Sequence, residues 1–219
     1  MEAAIPTVRE LPSARPWRIR VAMLIVVILA APALYLAGPS QGQVSPALAD
    51  RSREEVEQRI LAWIVERYPQ ANMRDFAEFP RALLEAAESA GLDYRIILAI
   101  ADKESGFKPD TVGKAGEIGL MQLRPSTAEP VVNKLGMSWT PPVKDRSGAY
   151  SSLGSLADPS FNVRIGTTYL RWQIDRYGLN PVALRAYNRN PDRAKEHWPL
   201  DRYAEDVSMR YLVIAQALR

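Results

Sequence analysis

Glu104 is the residue whose type and place best suit it to chemistry. It closes the apolar stretch IILAIADKES, residues 96–105, and Gly106 follows it. At a helix end of this kind the unpaired carbonyls and the negative end of the dipole disfavour an ionised carboxylate. A raised carboxyl pKa is what a general acid needs near neutral pH, because it must keep its proton until a leaving oxygen takes it. Lys103 opposes this only if its side chain turns the same way. Position alone leaves open the plainer reading, a solvated carboxylate at the end of a helix. The 219 residues include no cysteine and one histidine, His197. Disulfides, thiol nucleophiles, cysteine zinc sites and multi-histidine metal centres are therefore excluded. A Ser-His-Asp arrangement would need His197, which beside Trp198 and Pro199 reads as a packed or surface residue. Carboxylate, hydroxyl and amide chemistry remain, with no metal or cofactor implied.

The elements that must position Glu104 are helical. Ser52 and Glu55 form a capping box, and Val56, Ile60, Trp63 and Ile64 follow at helical spacing until Pro69. A second helix is expected from Pro80 to Gly91. Asp93 caps a third, Tyr94 to Ser105, which Gly106 stops. Four glycines in residues 106–124 argue for a loop or small hairpin carrying the string GLMQL. Pro125 opens a helix to about Leu135. Residues 136–157, rich in Pro, Gly and Ser, form the longest irregular stretch, read either as a loop facing a substrate or as disorder. Asp158-Pro159 starts a largely buried helix ending at Gly178, followed by a short helix over 181–187 and a long one over 200–218. The fold class expected is mainly α, with a small irregular or hairpin region.

A separate signal precedes this domain. Residues 21–37 are uncharged and follow Arg9, Arg15, Arg18 and Arg20. As a helix the run reaches about 25 Å, adequate for a bilayer when Ile19 and snorkelling arginines extend it. The positive flank keeps the amino terminus inside and sends the rest across. The expected organisation is a cytoplasmic segment over 1–18, a transmembrane signal anchor over 19–37, a flexible linker over 38–50 and an exported domain over 51–219. A small-x-small site at Ala47-Leu48-Ala49 lies well beyond the run, so a retained anchor is favoured over a cleaved, secreted form. After residue 38 the chain holds 24 basic and 23 acidic residues, a balance that removes support for nucleic-acid binding.

Five strings occur in order: ESGFKP (104–109), GLMQL (119–123), PSTA (125–128), NVRIGTTYL (162–170) and AYN (186–188). Together they resemble the soluble lytic transglycosylase family, with its lysozyme-like helical fold, over about residues 80–215. The resemblance implies cleavage of the β-1,4 bond between N-acetylmuramic acid and N-acetylglucosamine in peptidoglycan by a lyase that leaves a 1,6-anhydro end. It implies that Glu104 is the single acid/base. Ser105 matches the serine that follows it, a hydrogen-bond partner. Gly119, Leu120, Met121 and Gln122 match the cleft wall, with Leu120 and Met121 read chiefly as packing. Tyr187 and Asn188 match the element lining the cleft, and Tyr203 matches the late tyrosine near the acid, with a core role equally open. Peptidoglycan strands, the bacterial inner membrane through the N-terminal helix, and an envelope-spanning machine are the partners this reading suggests, with the domain in the periplasm.

Glycoside hydrolases usually need two carboxyls about 5–10 Å apart. Asp102 lies about 200° around the helix from Glu104, and Asp110 sits in an irregular loop. A hydroxyl of the substrate acting as internal nucleophile removes that need. The chain departs from the family pattern twice. Glu117 in GEIG stands where Ala is usual, and Arg189-Asn190 replaces small residues after AYN. If Glu117 faces Glu104, it raises that pKa further or activates water. A hydrolytic muramidase and a catalytically weak peptidoglycan-binding module are the alternatives, and a docking role at the membrane leaves the ordered motifs unexplained.

Overall fold

A computed structural model describes residues 46–189 and 202–219. The segment expected to span a membrane, with His197, Asn190 and Pro191, lies outside them. No helix among the described residues is long and apolar enough to cross a membrane.

The described elements are α1 (Pro46–Arg67), α2 (Phe79–Ala90), α3 (Tyr94–Ser105), α4 (Pro125–Leu135), β1 (Val143–Lys144), β2 (Tyr150–Ser152), a 3-10 turn (Gly154–Ala157), α5 (Pro159–Tyr177), α6 (Pro181–Asn188) and α7 (Arg202–Ala217). The domain is mainly helical. Asp93 caps α3 by accepting from the Arg95 amide at 2.9 Å, and Asp158 caps α5 by accepting from Phe161 at 2.6 Å. Both follow from a short acceptor side chain satisfying an otherwise unpaired first-turn N–H.

Two expectations need correction. α1 begins at Pro46, so Ser52 lies inside the helix and the capping box does not cap it. Proline suits a first helical position, and Ala47, Leu48 and Ala49 are good helix formers, which outweighs the linker-like residues before them. The stretch 136–157 is also more ordered than its composition suggests. β1 and β2 pair antiparallel, Val143 opposite Ser152 and Lys144 opposite Tyr150. The Asp145 carboxylate closes the turn, accepting from the Ser147 amide at 2.8 Å and the Ala149 amide at 3.2 Å. The Tyr150 hydroxyl then donates to the Gly116 carbonyl at 3.1 Å, strapping the hairpin to the loop before the GLMQ segment.

Phe107 sits at the centre of an aromatic cluster with Trp63, Tyr68, Phe76 and Phe79, its ring centroid 4.8 to 6.1 Å from theirs. It holds a φ of 56°, a left-handed conformation that costs a non-glycine residue about 1–2 kcal/mol. The buried ring offsets that cost and pins the turn that leaves α3.

α5 packs behind the GLMQ segment through Asn162 and Gly166, one turn apart on one face. The Asn162 side chain is fully buried. Its oxygen accepts from the Met121 amide at 2.8 Å, and its nitrogen donates to the carbonyls of Ile118 at 3.0 Å and Leu156 at 2.8 Å. A Cβ on Gly166 would lie 2.4 Å from the Met121 sulfur, so only glycine lets that side chain reach the helix. Asn162→Ala would strip the Met121 amide and the Leu156 carbonyl of this buried partner, leaving the Ile118 carbonyl only its bond from the Leu123 amide, and is expected to destabilise the domain by about 2–4 kcal/mol. Urea denaturation checks this; a loss below about 1 kcal/mol would show that other groups hold the segment.

Candidate active site

Glu104 lies in the last turn of α3, half-buried, with the turn pinned by Phe107 immediately beyond it. The Asn188 amide, at the end of α6, donates to Glu104 Oε1 at 3.4 Å. Burial pushes the Glu104 carboxyl above its ordinary value, against hydrogen bonds from Tyr203 and Asn188 and the charge of Lys103; the charge of Glu117 adds to the rise. Desolvation, rather than the helix dipole invoked from the sequence, is therefore the chief cause. Lys103 opposes only in part, because its ammonium is held by Asp206 at 2.5 Å.

The other carboxylates are committed elsewhere. Asp102 faces away from Glu104, paired with Arg210 at 2.5 Å and with the Tyr68 hydroxyl. Burial alone would raise the Glu117 carboxyl, but hydrogen bonds from its own backbone amide, Arg124 and Ala115 hold it below its usual range. The Arg124 guanidinium meets Glu117 Oε1 at 2.9 and 3.0 Å, and the Ala115 amide meets Oε2 at 3.0 Å. Asp110 is exposed in its loop. Glu104 is thus the carboxyl of this group that burial holds above its ordinary value. Among the described residues, no group of three or more His, Cys, Asp or Glu is arranged to hold a metal ion.

Residues 81–206 match the family model of the transglycosylase SLT domain. The chain belongs to this family. Over 99 residues it is 35% identical to the soluble lytic murein transglycosylase of Escherichia coli, the match covering 45% of this chain and 14% of that protein. Over 87 residues it is 38% identical to the endo-type membrane-bound lytic murein transglycosylase A of Citrobacter koseri, covering 39% of this chain and 38% of that one. The structure of an inactive mutant of the lytic transglycosylase Slt from Pseudomonas aeruginosa aligns with a TM-score of 0.50 and 27% identity, over 64% of this chain and 25% of that chain. The chain therefore spans well under half the length of each of these relatives.

Within this SLT domain the expected site residues divide into two groups. Glu104, Asn188 and Tyr203 converge. Gly119 is buried, Leu120 and Met121 are both 0% exposed, and Tyr187 is buried with its hydroxyl donating to the Met121 carbonyl at 2.9 Å. These four support the wall from behind rather than presenting side chains to the cleft. Burial, with the Glu104 charge adding, pushes the Tyr187 phenol well above its usual range, so it stays protonated and keeps donating. Gln122 is half-buried, and its nitrogen donates to the carbonyls of Gly119 at 2.9 Å and Thr111 at 3.1 Å. The Ser105 hydroxyl donates back to the Ala101 carbonyl at 3.1 Å within α3. Arg189 closes α6, its amide donating to the Arg185 carbonyl at 2.9 Å.

Asn162 and Arg124 went unassigned in the sequence. The asparagine that opens the string NVRIGTTYL, four residues before Gly166, was the signal for Asn162. Arg124, just before the Pro125 helix start, left no mark.

A carboxyl held above its usual range makes the folded state less stable once it ionises. That stability is fully present below the ordinary value of 4.5 and is lost as pH rises through the raised value. Glu104→Gln removes the loss. The variant is expected to match the native chain at about pH 4 and to be the more stable at about pH 8, with the gap opening between. Urea melts at both pH values check this, and equal stabilities at the higher pH would contradict the burial argument.

Proposed function

We propose that this chain is a peptidoglycan lytic transglycosylase that cuts the β-1,4 bond between N-acetylmuramic acid and N-acetylglucosamine and leaves 1,6-anhydro ends. The observation that carries the reading is a single carboxyl, Glu104, that burial pushes above its ordinary value, with its neighbouring carboxylates engaged in ion pairs. The names of the similar proteins, soluble and membrane-bound lytic murein transglycosylases, support it.

In this mechanism Glu104 gives its proton to the glycosidic oxygen as the bond from the muramoyl C1 breaks. The C6 hydroxyl of the same sugar attacks C1, and its proton passes to the Glu104 carboxylate. One carbon–oxygen bond breaks and one forms, no water is consumed, and the acid is regenerated. An internal nucleophile needs no bound water and enjoys high effective molarity. Hydrogen bonds from Asn188 and Tyr203 favour the ionised state that the second half requires. Ser105 and Gln122 lie beside the acid and the wall as the polar groups proposed to bind sugar. Gly119, Leu120, Met121 and Tyr187 are proposed to shape that wall. Residues 19–37 anchor the chain in the inner membrane, with 1–18 in the cytoplasm and a linker from residue 38 to the start of α1 at Pro46, and the domain that follows faces peptidoglycan in the periplasm. An envelope-spanning machine is the setting this arrangement would suit.

The full chain in detergent, incubated with purified peptidoglycan and read by mass spectrometry of the released fragments, tests the reading. Fragments lighter by one water than hydrolysed ones are expected from the native chain, and Glu104→Gln should lower their release by about 100-fold or more. Hydrolysed reducing ends would instead assign a muramidase. Glycan binding without release would assign a binding module.

A further inference from the structure

Asp102 takes no part in the proposed chemistry, yet both of its carboxylate oxygens are held. Its side chain is 9% exposed and receives Arg210 Nη1 from α7 at 2.5 Å. The Tyr68 hydroxyl, just past α1, donates to its other oxygen. One residue on, Lys103 pairs with Asp206 of α7 at 2.5 Å. Before the first turn of α3, Asp93 Oδ2 accepts from the Tyr211 hydroxyl at 2.9 Å.

Arg210 and Tyr211 are neighbours on α7, but their partners Asp102 and Asp93 lie at opposite ends of α3, about 13 Å apart along the helix. Two grips so far apart set the angle at which α7 crosses α3, and the Lys103–Asp206 pair sets its register. α7 also carries Tyr203, about two turns before Arg210, and the Tyr203 hydroxyl lies near enough to the Glu104 carboxyl to favour its ionised form. A buried ion pair contributes little net stability, because desolvation offsets the attraction and an apolar pair of similar volume often does better. It does supply direction: a guanidinium and a carboxylate at 2.5 Å tolerate little rotation of the helices that bear them.

We infer that the Asp102–Arg210 pair, backed by Tyr68, is a positioning device that holds α7 at the angle keeping Tyr203 on Glu104. The inference rests on reading Glu104 as the acid of the reaction, and it makes Asp102, Arg210 and Tyr68 positioning residues that act through Tyr203. The groups facing Glu104 are Lys103 from α3, Tyr187 and Asn188 from α6, Tyr203 from α7 and Glu117 from the loop before the GLMQ segment. Of these, Tyr203 alone rides on the helix that Arg210 anchors.

The test is the titration of Glu104 by carbon-13 NMR in the full chain labelled at glutamate, with Glu104→Gln identifying the resonance. Tyr203→Phe should raise the midpoint by about one pH unit, the order expected when a carboxylate loses a hydrogen bond. Asp102→Asn should move it the same way. Removing a nearby negative charge would by itself lower the midpoint, so the sign separates positioning from plain electrostatics. Arg210→Lys keeps both charges and alters only geometry; it should give a smaller upward shift, and it carries the test if Asp102→Asn does not fold. In a Tyr203→Phe background neither change should raise the midpoint further. A downward or absent shift, or an upward shift that persists without the Tyr203 hydroxyl, overturns the inference. The titration needs no substrate, so a native chain that releases no fragments would sink the functional reading and leave this one to its own measurement.

Discussion

The side-chain amide of Asn162 makes three buried hydrogen bonds to backbone groups, two in the loop over 106–124 and one in the 3-10 turn at Leu156. The loop over 106–124 has almost no ladder of its own; isolated bridges at Val112–Ile118 and Ile118–Leu123 are its only regular pairing among the described residues. Such a segment cannot hold its shape by local propensity, and buried peptide groups without partners would oppose its burial. Asn162 supplies those partners from a helix that is itself rigid. Gly166 then admits Met121 against the same helix face, and Tyr187 closes on the Met121 carbonyl from α6. Because Asn188 follows Tyr187 directly, the amide that reaches Glu104 is placed by the same chain of contacts.

The acid sits where two opposing demands meet. Burial favours the protonated carboxyl that the proposed reaction uses first, whereas Asn188 and Tyr203 favour the carboxylate that its second half would use. Neither wins outright in chemical terms, since each half of a proton cycle needs the other. The placement at a helix end helps, because the glycine that follows frees the side chain while Phe107 keeps the turn from wandering. Glu117 stands near enough for its charge to be felt, but Arg124 and the Ala115 amide occupy its two oxygens and so separate an electrostatic influence from a role as base.

How far the sequence discloses this arrangement depends on the range of the forces involved. The bounds of α3, α4 and α5 follow from Asp93, Gly106, Pro125 and Asp158, each acting within one turn of its own position. Glu104 was legible for the same reason, as a polar residue at the end of an apolar helix. What escaped was set by distance. The start of α1 was hidden because its first residues resemble a linker, and the hairpin because a short Asp-x-Ser turn lies inside a Pro- and Gly-rich stretch. The enclosure of Leu120 and Met121, and the pairing of Glu117 with Arg124, depend on which surfaces α5 and the loop present to each other. The Asp102–Arg210 pair joins residues more than one hundred positions apart, and no periodicity announces it.

That separation has a temporal side. Chains are made amino terminus first, and their parts fold in that order. Glu104 emerges early, with the aromatic cluster that fixes its turn complete almost at once. The helix that brings Tyr203 and Arg210 to it is the last element described. Until that helix docks, the acid lacks one of its two hydrogen-bonding neighbours and the site is incomplete. A site built this way depends on a helix that follows its central carboxyl only after about one hundred further residues of chain.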